Sequence, residues 1–188
     1  NLLKSSNKNE NLFSENFKID INIKKVNLDK GNVLKNLSGF IILKDNKVSE
    51  ANLDSSFLSK KKIKLTIKTV KGEKITTFFS GEAKPFVDRY KFVKGFDEGS
   101  LDFYSTSKGN NTNSIIKIYD FKLKELPALT KVLTLASLQG IADVLSGEGI
   151  RFNEFEMNFS KNNQLMSINE IYAIGPAISV LMEGYVES

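Results

Sequence analysis

The stretch Phe17-Lys18-Ile19-Asp20-Ile21-Asn22-Ile23-Lys24, residues 17–24, decides the fold class, because its odd positions are all apolar and its even positions all polar. A period of two sends successive side chains to opposite faces of an extended chain. The segment is therefore a strand with one face for a core and the other for water.

The same signal recurs downstream. Leu37 to Leu43 is apolar on both parities, and Asp45-Asn46 turns it back toward Val48 and Leu53, so a hairpin is expected. Ile63, Leu65 and Ile67 alternate with Lys62, Lys64 and Lys68. Lys71-Gly72-Glu73-Lys74 then turns the chain into Ile75-Thr76-Thr77-Phe78-Phe79. Gly95 and Gly99 bracket a turn into Leu101-Asp102-Phe103-Tyr104, and the Gly109-Asn110-Asn111 tip leads through Ile116, Ile118 and Phe121. In the last third, Phe155, Met157 and Phe159 alternate, Asn162-Asn163 turns, and Ile168, Tyr172 and Ile174 lead to Gly175-Pro176. A final strand carries Ile178, Val180, Met182 and Val186 on one parity. This is a mainly β chain of on the order of ten strands, well above the usual strand share.

Two segments break the period. Pro85 to Val93 places Phe86, Val87, Tyr90 and Val93 at helical spacing behind a first-turn proline, so a short helix is expected over 85–93. Pro127 opens a longer amphipathic helix over 127–145, with Leu129, Val132, Leu133, Ala136, Ile141 and Leu145 on one stripe and Gly147 and Gly149 as its stop. Its polar face carries only Lys131 as a cation, so packing on the sheet is expected rather than residence at a membrane surface. Upstream of the first strand, residues 1–14 are polar and aperiodic and read as a frayed lead-in to a single segment spanning 15–188.

Composition removes most catalytic chemistry. With no His and no Cys in 188 residues, a Ser-His-Asp triad, a thiol nucleophile, the usual zinc ligand sets and disulfides are all excluded. Asp88, Asp97, Glu98 and Asp102 lie close together, but Tyr90, Phe92 and Phe96 interrupt the oxygen-ligand spacing that a calcium loop needs, so no metal is assigned. Gly147-Glu148-Gly149 follows a helix rather than preceding one, which rules out a phosphate cradle. The net charge of +5 comes almost wholly from Lys alternating along strands, the pattern of a solvated face. Lys91 stands between Tyr90 and Phe92, yet no ribonucleoprotein or oligonucleotide-barrel signature accompanies it, so nucleic acid is not the expected partner. No enzyme and no cofactor are expected. The apolar runs are too short for a signal peptide or a transmembrane helix, and the chain starts at Asn1, so it reads as an excised piece whose anchor lies elsewhere.

The run PALTKVLTLASLQGIADVLSGEGIRFNEFEMNFS, residues 127–160, followed by INEIYAIGPAISVLMEGYVES, residues 168–188, resembles the AsmA-like family of bacterial envelope proteins, of the YhdP- and TamB-related, alphaproteobacterial type. The resemblance rests on an apolar helix ending at Ser146 to Gly149, a Gly175-Pro176-Ala177 turn, and a strand reaching Gly184. FVKGFDEGSLDF, residues 92–103, is similar too, departing at Asp97-Glu98-Gly99 where the family tends to show paired glycines. The resemblance implies a curved antiparallel sheet forming a groove or half-barrel within a periplasmic protein anchored to the inner membrane. It also implies phospholipid acyl chains as the partner, moved toward the outer membrane, with outer-membrane components as further partners. On that reading Ile21, Ile23, Leu65, Ile67, Phe155, Met157, Ile178, Val180 and Met182 line the groove. The alternative is a non-catalytic assembly module that binds partners through exposed sheet edges. Parity alone does not separate the two, because both bury alternate residues.

Overall fold

A computed structural model describes residues 16–90, 95–124, 149–163, 165–176 and 179–187. Within them the chain forms ten strands: β1 (Phe17–Asn27), β2 (Val33–Lys44), β3 (Lys47–Phe57), β4 (Lys62–Val70), β5 (Glu73–Ser80), β6 (Phe96–Lys108), β7 (Asn111–Leu123), β8 (Ile150–Asn162), β9 (Leu165–Ile174) and β10 (Ser179–Glu187). One helix, α1 (Lys84–Tyr90), is inserted between β5 and β6. All ten strands belong to one sheet in strict chain order, each antiparallel to the next, and the sheet stays open rather than closing into a barrel. The expectation of a mainly β, antiparallel and unclosed architecture is met.

Tight turns fix the registers. Asp45 and Asn46 have φ of 50° and 59°, and Lys71 and Gly72 have 51° and 78°, the positive pairs that let two-residue loops follow the twist of their strands. Behind the second turn β4 and β5 keep one register from Val70 to Ile63, and behind the first β2 and β3 pair from Lys44 back to Leu34 with two shifts. The adjacent apolar residues Phe40 and Ile41 are divided between faces: Ile41 pairs with Ile19, while Phe40 lies on the other face with the Lys18 ammonium 5.1 Å from its ring centroid. This is why the stretch from Leu37 to Leu43 is apolar on both parities.

Simple alternation does not persist to the strand ends. At Asn36, φ is 54° and the β2–β3 register shifts, so beyond it the apolar face passes to even residues and Val26 and Leu34 join Phe57 and Ile63. On β6 and β7, Glu98, Gly99 and Asp120 have φ of 63°, 80° and 52°, and beyond them Phe96, Phe121 and Phe152 become the buried residues. These irregularities add the twist and bend that a bulge gives a sheet.

Two expectations, the Gly95–Gly99 turn and the bounds of the short helix, differ from the structure. Gly95 and Gly99 do not bracket a turn into residue 101. β6 already begins at Phe96, and Gly99 lies within it because an added Cβ would meet Tyr119 O and the Phe121 Cβ at 2.9 Å each. In β9 the register shifts between Asn158 and Phe159, which sets Ile168 on the face of Ile171 and Ala173 while Tyr172 faces the other way. The short helix runs over Lys84–Tyr90, starting one residue before the expected Pro85, and residues 91–94 lie outside the described ones. The expected helix over 127–145 and the lead-in over 1–14 also lie outside the described residues.

α1 is secured at its first turn. The Ser80 hydroxyl donates to Glu82 O at 2.6 Å, the Ala83 N–H donates to Gly99 O at 2.9 Å, and Lys84 Nζ donates to Phe96 O at 2.7 Å. Ala83 and Val87 are buried against Phe96, Leu101, Ile118, Phe121, Ile150 and Phe152. Phe121 stacks between Phe96 and Phe152 with ring centroids 5.2 Å from each. A second cluster of Leu34, Phe57 and Ile63 adjoins it through Phe78 and Phe86. Both clusters occupy the same end of the same sheet face, the end away from the β2–β3 and β4–β5 turns.

Candidate functional site

The apolar face is organised in rows that run across the strands. Ile21 pairs with Gly39, then the row continues through Leu53, Leu65, Phe78, Phe103, Ile116, Met157, Ile171 and the register position of Met182. No charged residue or hydroxyl interrupts it in all ten strands. Its described side chains are half-buried, neither packed away like Phe96 nor fully in water. Gly39 takes a place where an added Cβ would fall 1.8 Å from Asn52 O, so the gap in the row is imposed by the backbone of β3.

The two sides of this row differ. Toward α1, Ile63, Ser80, Leu101, Ile118, Phe155, Ala173 and Val180 form the next row, and the Phe96–Phe121–Phe152 stack fills that end with the protein's own side chains. Toward the turns, the row Ile67, Thr76, Ser105, Ser114, Phe159 turns hydroxylic in its middle, and the buried Ser114 hydroxyl donates to Ser105 Oγ at 2.9 Å. One step further lie Thr69, Lys74, Ser107, Thr112 and Lys161, where Thr112 Oγ1 donates to Ser107 Oγ at 3.0 Å. The face thus grades along the strands from aromatic through aliphatic and hydroxylic to cationic.

The residues expected to line a groove fall on this face wherever they are described. Ile21, Leu65 and Met157 share the central row, Ile67 belongs to the hydroxylic one, and Phe155 and Val180 belong to the row beside α1. Ile23 pairs with Leu37 at the rim and is 44% exposed. Met182 is opposite Ile171 in the register, and Ile178 lies outside the described residues. Sequence reading missed Phe78, Phe103, Ile116 and Ile171. Phe78 is preceded and followed by residues that leave its parity open in Thr77-Phe78-Phe79, and only its pairing with Leu65 and Phe103 settles it.

The opposite face is a ladder of alternating charge. Lys64 lies 3.7 Å from Asp54, and Lys117 lies 2.5 Å from Glu156 and 3.8 Å from Glu154. The Tyr172 hydroxyl donates toward Glu156 at 2.8 Å, which with burial raises the phenol well above the ordinary tyrosine range. Glu156 is itself held low: burial pushes it up, but the hydrogen bonds from Lys117, Tyr172 and Asn158 together prevail. Phe79, Tyr104 and Tyr119 with Lys64 and Lys117 border a shallow depression of about 450 Å³ on this face.

Of the four carboxylates that cluster in sequence, Asp88, Asp97 and Glu98 are engaged by cations. Asp88 meets Lys84 at 3.0 Å, Asp97 meets Lys124 at 2.6 Å, and Glu98 meets Lys122 and Arg151 at 3.0 Å each. Asp97 is held below its usual range chiefly by the Lys124 hydrogen bond, and Glu98 chiefly by that from Lys122. Among the described residues no group of His, Cys, Asp or Glu is arranged to hold a metal ion. Among them, too, no helix is long and apolar enough to cross a membrane.

No family model, curated protein or solved structure matches the chain.

Proposed function

We propose that this chain is a segment of an AsmA-like envelope protein whose apolar face receives phospholipid acyl chains and passes them along the strand order toward the outer membrane. The observation that carries the reading is the unbroken apolar row from Ile21 across to Ile171 and the position of Met182. A lipid tail moving from strand to strand loses about 0.8 kcal/mol for each methylene left in water. One charged or hydroxylic interruption would therefore set a barrier of several methylenes, and the row contains none. In this reading the periplasm is the site of action and the inner-membrane anchor belongs to sequence outside these residues. Chemistry on the lipid is not part of the role.

The test is native mass spectrometry of the purified chain from a bacterial host. Phospholipid adducts are expected on the wild type and lost in Ile67→Asp and Leu65→Asp, provided circular dichroism shows both variants folded. A folded wild type that carries no lipid and acquires none from vesicles would overturn the proposal.

A second reading has its own observation. Among the described strands β10 pairs only with β9, and its outer flank is the backbone that an assembly partner would extend by strand addition. Under this reading the Asp variants keep partner binding, whereas a proline substitution at Glu183 abolishes it.

A further inference from the structure

We propose that Lys74, Ser107, Thr112 and Lys161 form a seat for the head group of an anionic phospholipid, whose tails lie down the strands toward α1. The inference rests on the acyl-chain reading above and adds to it the class of lipid and its orientation.

The four residues are directly paired across β5, β6, β7 and β8, so they form one row on the apolar face. Strands are about 4.8 Å apart, which sets the two lysine positions about 14 Å apart with the hydroxyl pair between them. Neither Lys74 nor Lys161 has an acidic partner among the described residues, whereas Lys64, Lys84, Lys117, Lys122 and Lys124 all do. Two uncompensated ammonium groups flanking Ser107, whose O–H is left to donate while its Oγ accepts from Thr112, match a phosphodiester, which needs positive charge and a hydroxyl donor together.

The depth also fits. From Lys74 to Phe78 is four residues and to Ser80 six, about 13 Å and 20 Å at strand rise. One bilayer leaflet's hydrocarbon is about 15 Å deep. A lipid with its phosphate at this row would lay its tails over Phe78, Phe103, Ile116 and Met157 and end near Phe86 of α1. The reverse orientation would place a charged phosphate on the Phe96–Phe121–Phe152 stack, so a single polarity is favoured.

The experiment is isothermal titration calorimetry of the delipidated chain at low salt, with dioctanoyl phosphatidylglycerol and dioctanoyl phosphatidylcholine below their micelle concentrations. A lysine near an anionic lipid surface is worth roughly a fivefold change in binding. Phosphatidylglycerol is therefore expected to bind at least about fivefold more tightly than phosphatidylcholine, and the preference should shrink to within about twofold in K74Q/K161Q. Phosphatidylcholine affinity should be the same in both proteins. Equal wild-type affinities, or a preference that survives the double substitution, would overturn the seat while leaving the acyl-chain reading intact. Failure of both lipids to bind the wild type would overturn both. Inorganic phosphate that binds this row as tightly as phosphatidylglycerol would show a plain anion site and also overturn the seat.

Discussion

Phe86 of α1 meets Phe78 of β5 edge to face, with ring centroids 4.9 Å apart and planes at 73°. These two side chains pack against both buried clusters, so their contact links the cluster on β2–β4 to the one on β6–β8. Edge-to-face pairs add about 0.5–1.5 kcal/mol to the burial of the rings. Phe86→Ala should lower stability by about 2–4 kcal/mol in urea denaturation, with Phe86→Leu recovering most of the loss. A change within 0.5 kcal/mol would mean that α1 does not brace the sheet.

Gly39 admits no side chain. With φ at 135° and the Asn52 carbonyl 1.8 Å from where a Cβ would stand, Gly39→Ala must displace β2 from β3. The expected loss is about 3 kcal/mol or more, against about 1–2 kcal/mol for Gly72→Ala, whose φ is positive but whose surroundings are open. Thermal melts of the two variants side by side would decide it, and equal losses would contradict the close approach.

Ser105 and Ser114 offer a double-mutant cycle. Their hydroxyls are buried and bonded to each other, so replacing either by Ala strands its partner, at about 1–2 kcal/mol. Replacing both removes donor and acceptor together. The double variant should therefore lose clearly less than the sum of the singles, and strict additivity would show that the bond carries no coupling.

Acid should weaken the end of the sheet near α1. Asp97 and Glu98 are depressed by their Lys124 and Lys122 hydrogen bonds, and a depressed carboxyl contributes stability above its unfolded value that is lost as pH falls through the folded one. Stability from these groups should be level above about pH 5 and decline below about pH 4. In Asp97→Asn/Glu98→Gln the decline should be shallower, as read by urea midpoints across that range.

At high pH the raised phenol of Tyr172 behaves in the opposite sense. It keeps its proton in the folded chain beyond the unfolded value near 10, so its contribution is complete below that value and is lost as pH rises above it. Near-ultraviolet titration to about pH 11 should therefore show the same phenolate amplitude for wild type and Tyr172→Phe. A smaller amplitude in the variant would mean that Glu156 does not hold the phenol.

Period-two reading put Ile21, Leu65, Ile67, Phe155 and Met157 on one face of the sheet because a strand's side chains alternate whatever its neighbours do. It failed where the backbone interrupts that alternation. Glu98, Asp120 and Asn36 take positive φ without being glycine, and the bulge in β9 exchanges the faces of Ile168 and Tyr172, so no count of odd and even positions could place Phe96, Phe121 or Tyr172. The cationic row was invisible for another reason. Lys74 and Lys161 are 87 positions apart in the sequence and become row-mates only through three successive registers.

Because every described strand pairs with the described strand next to it in the chain, the sheet has a property that a Greek key lacks. A hairpin can be gained or lost anywhere along it without rewiring the remainder, changing its width by about 10 Å while the inside-outside alternation stays in phase. Such a chain can be tailored in length by duplication of hairpin-sized units, and each added pair would extend the central apolar row by the same fixed step.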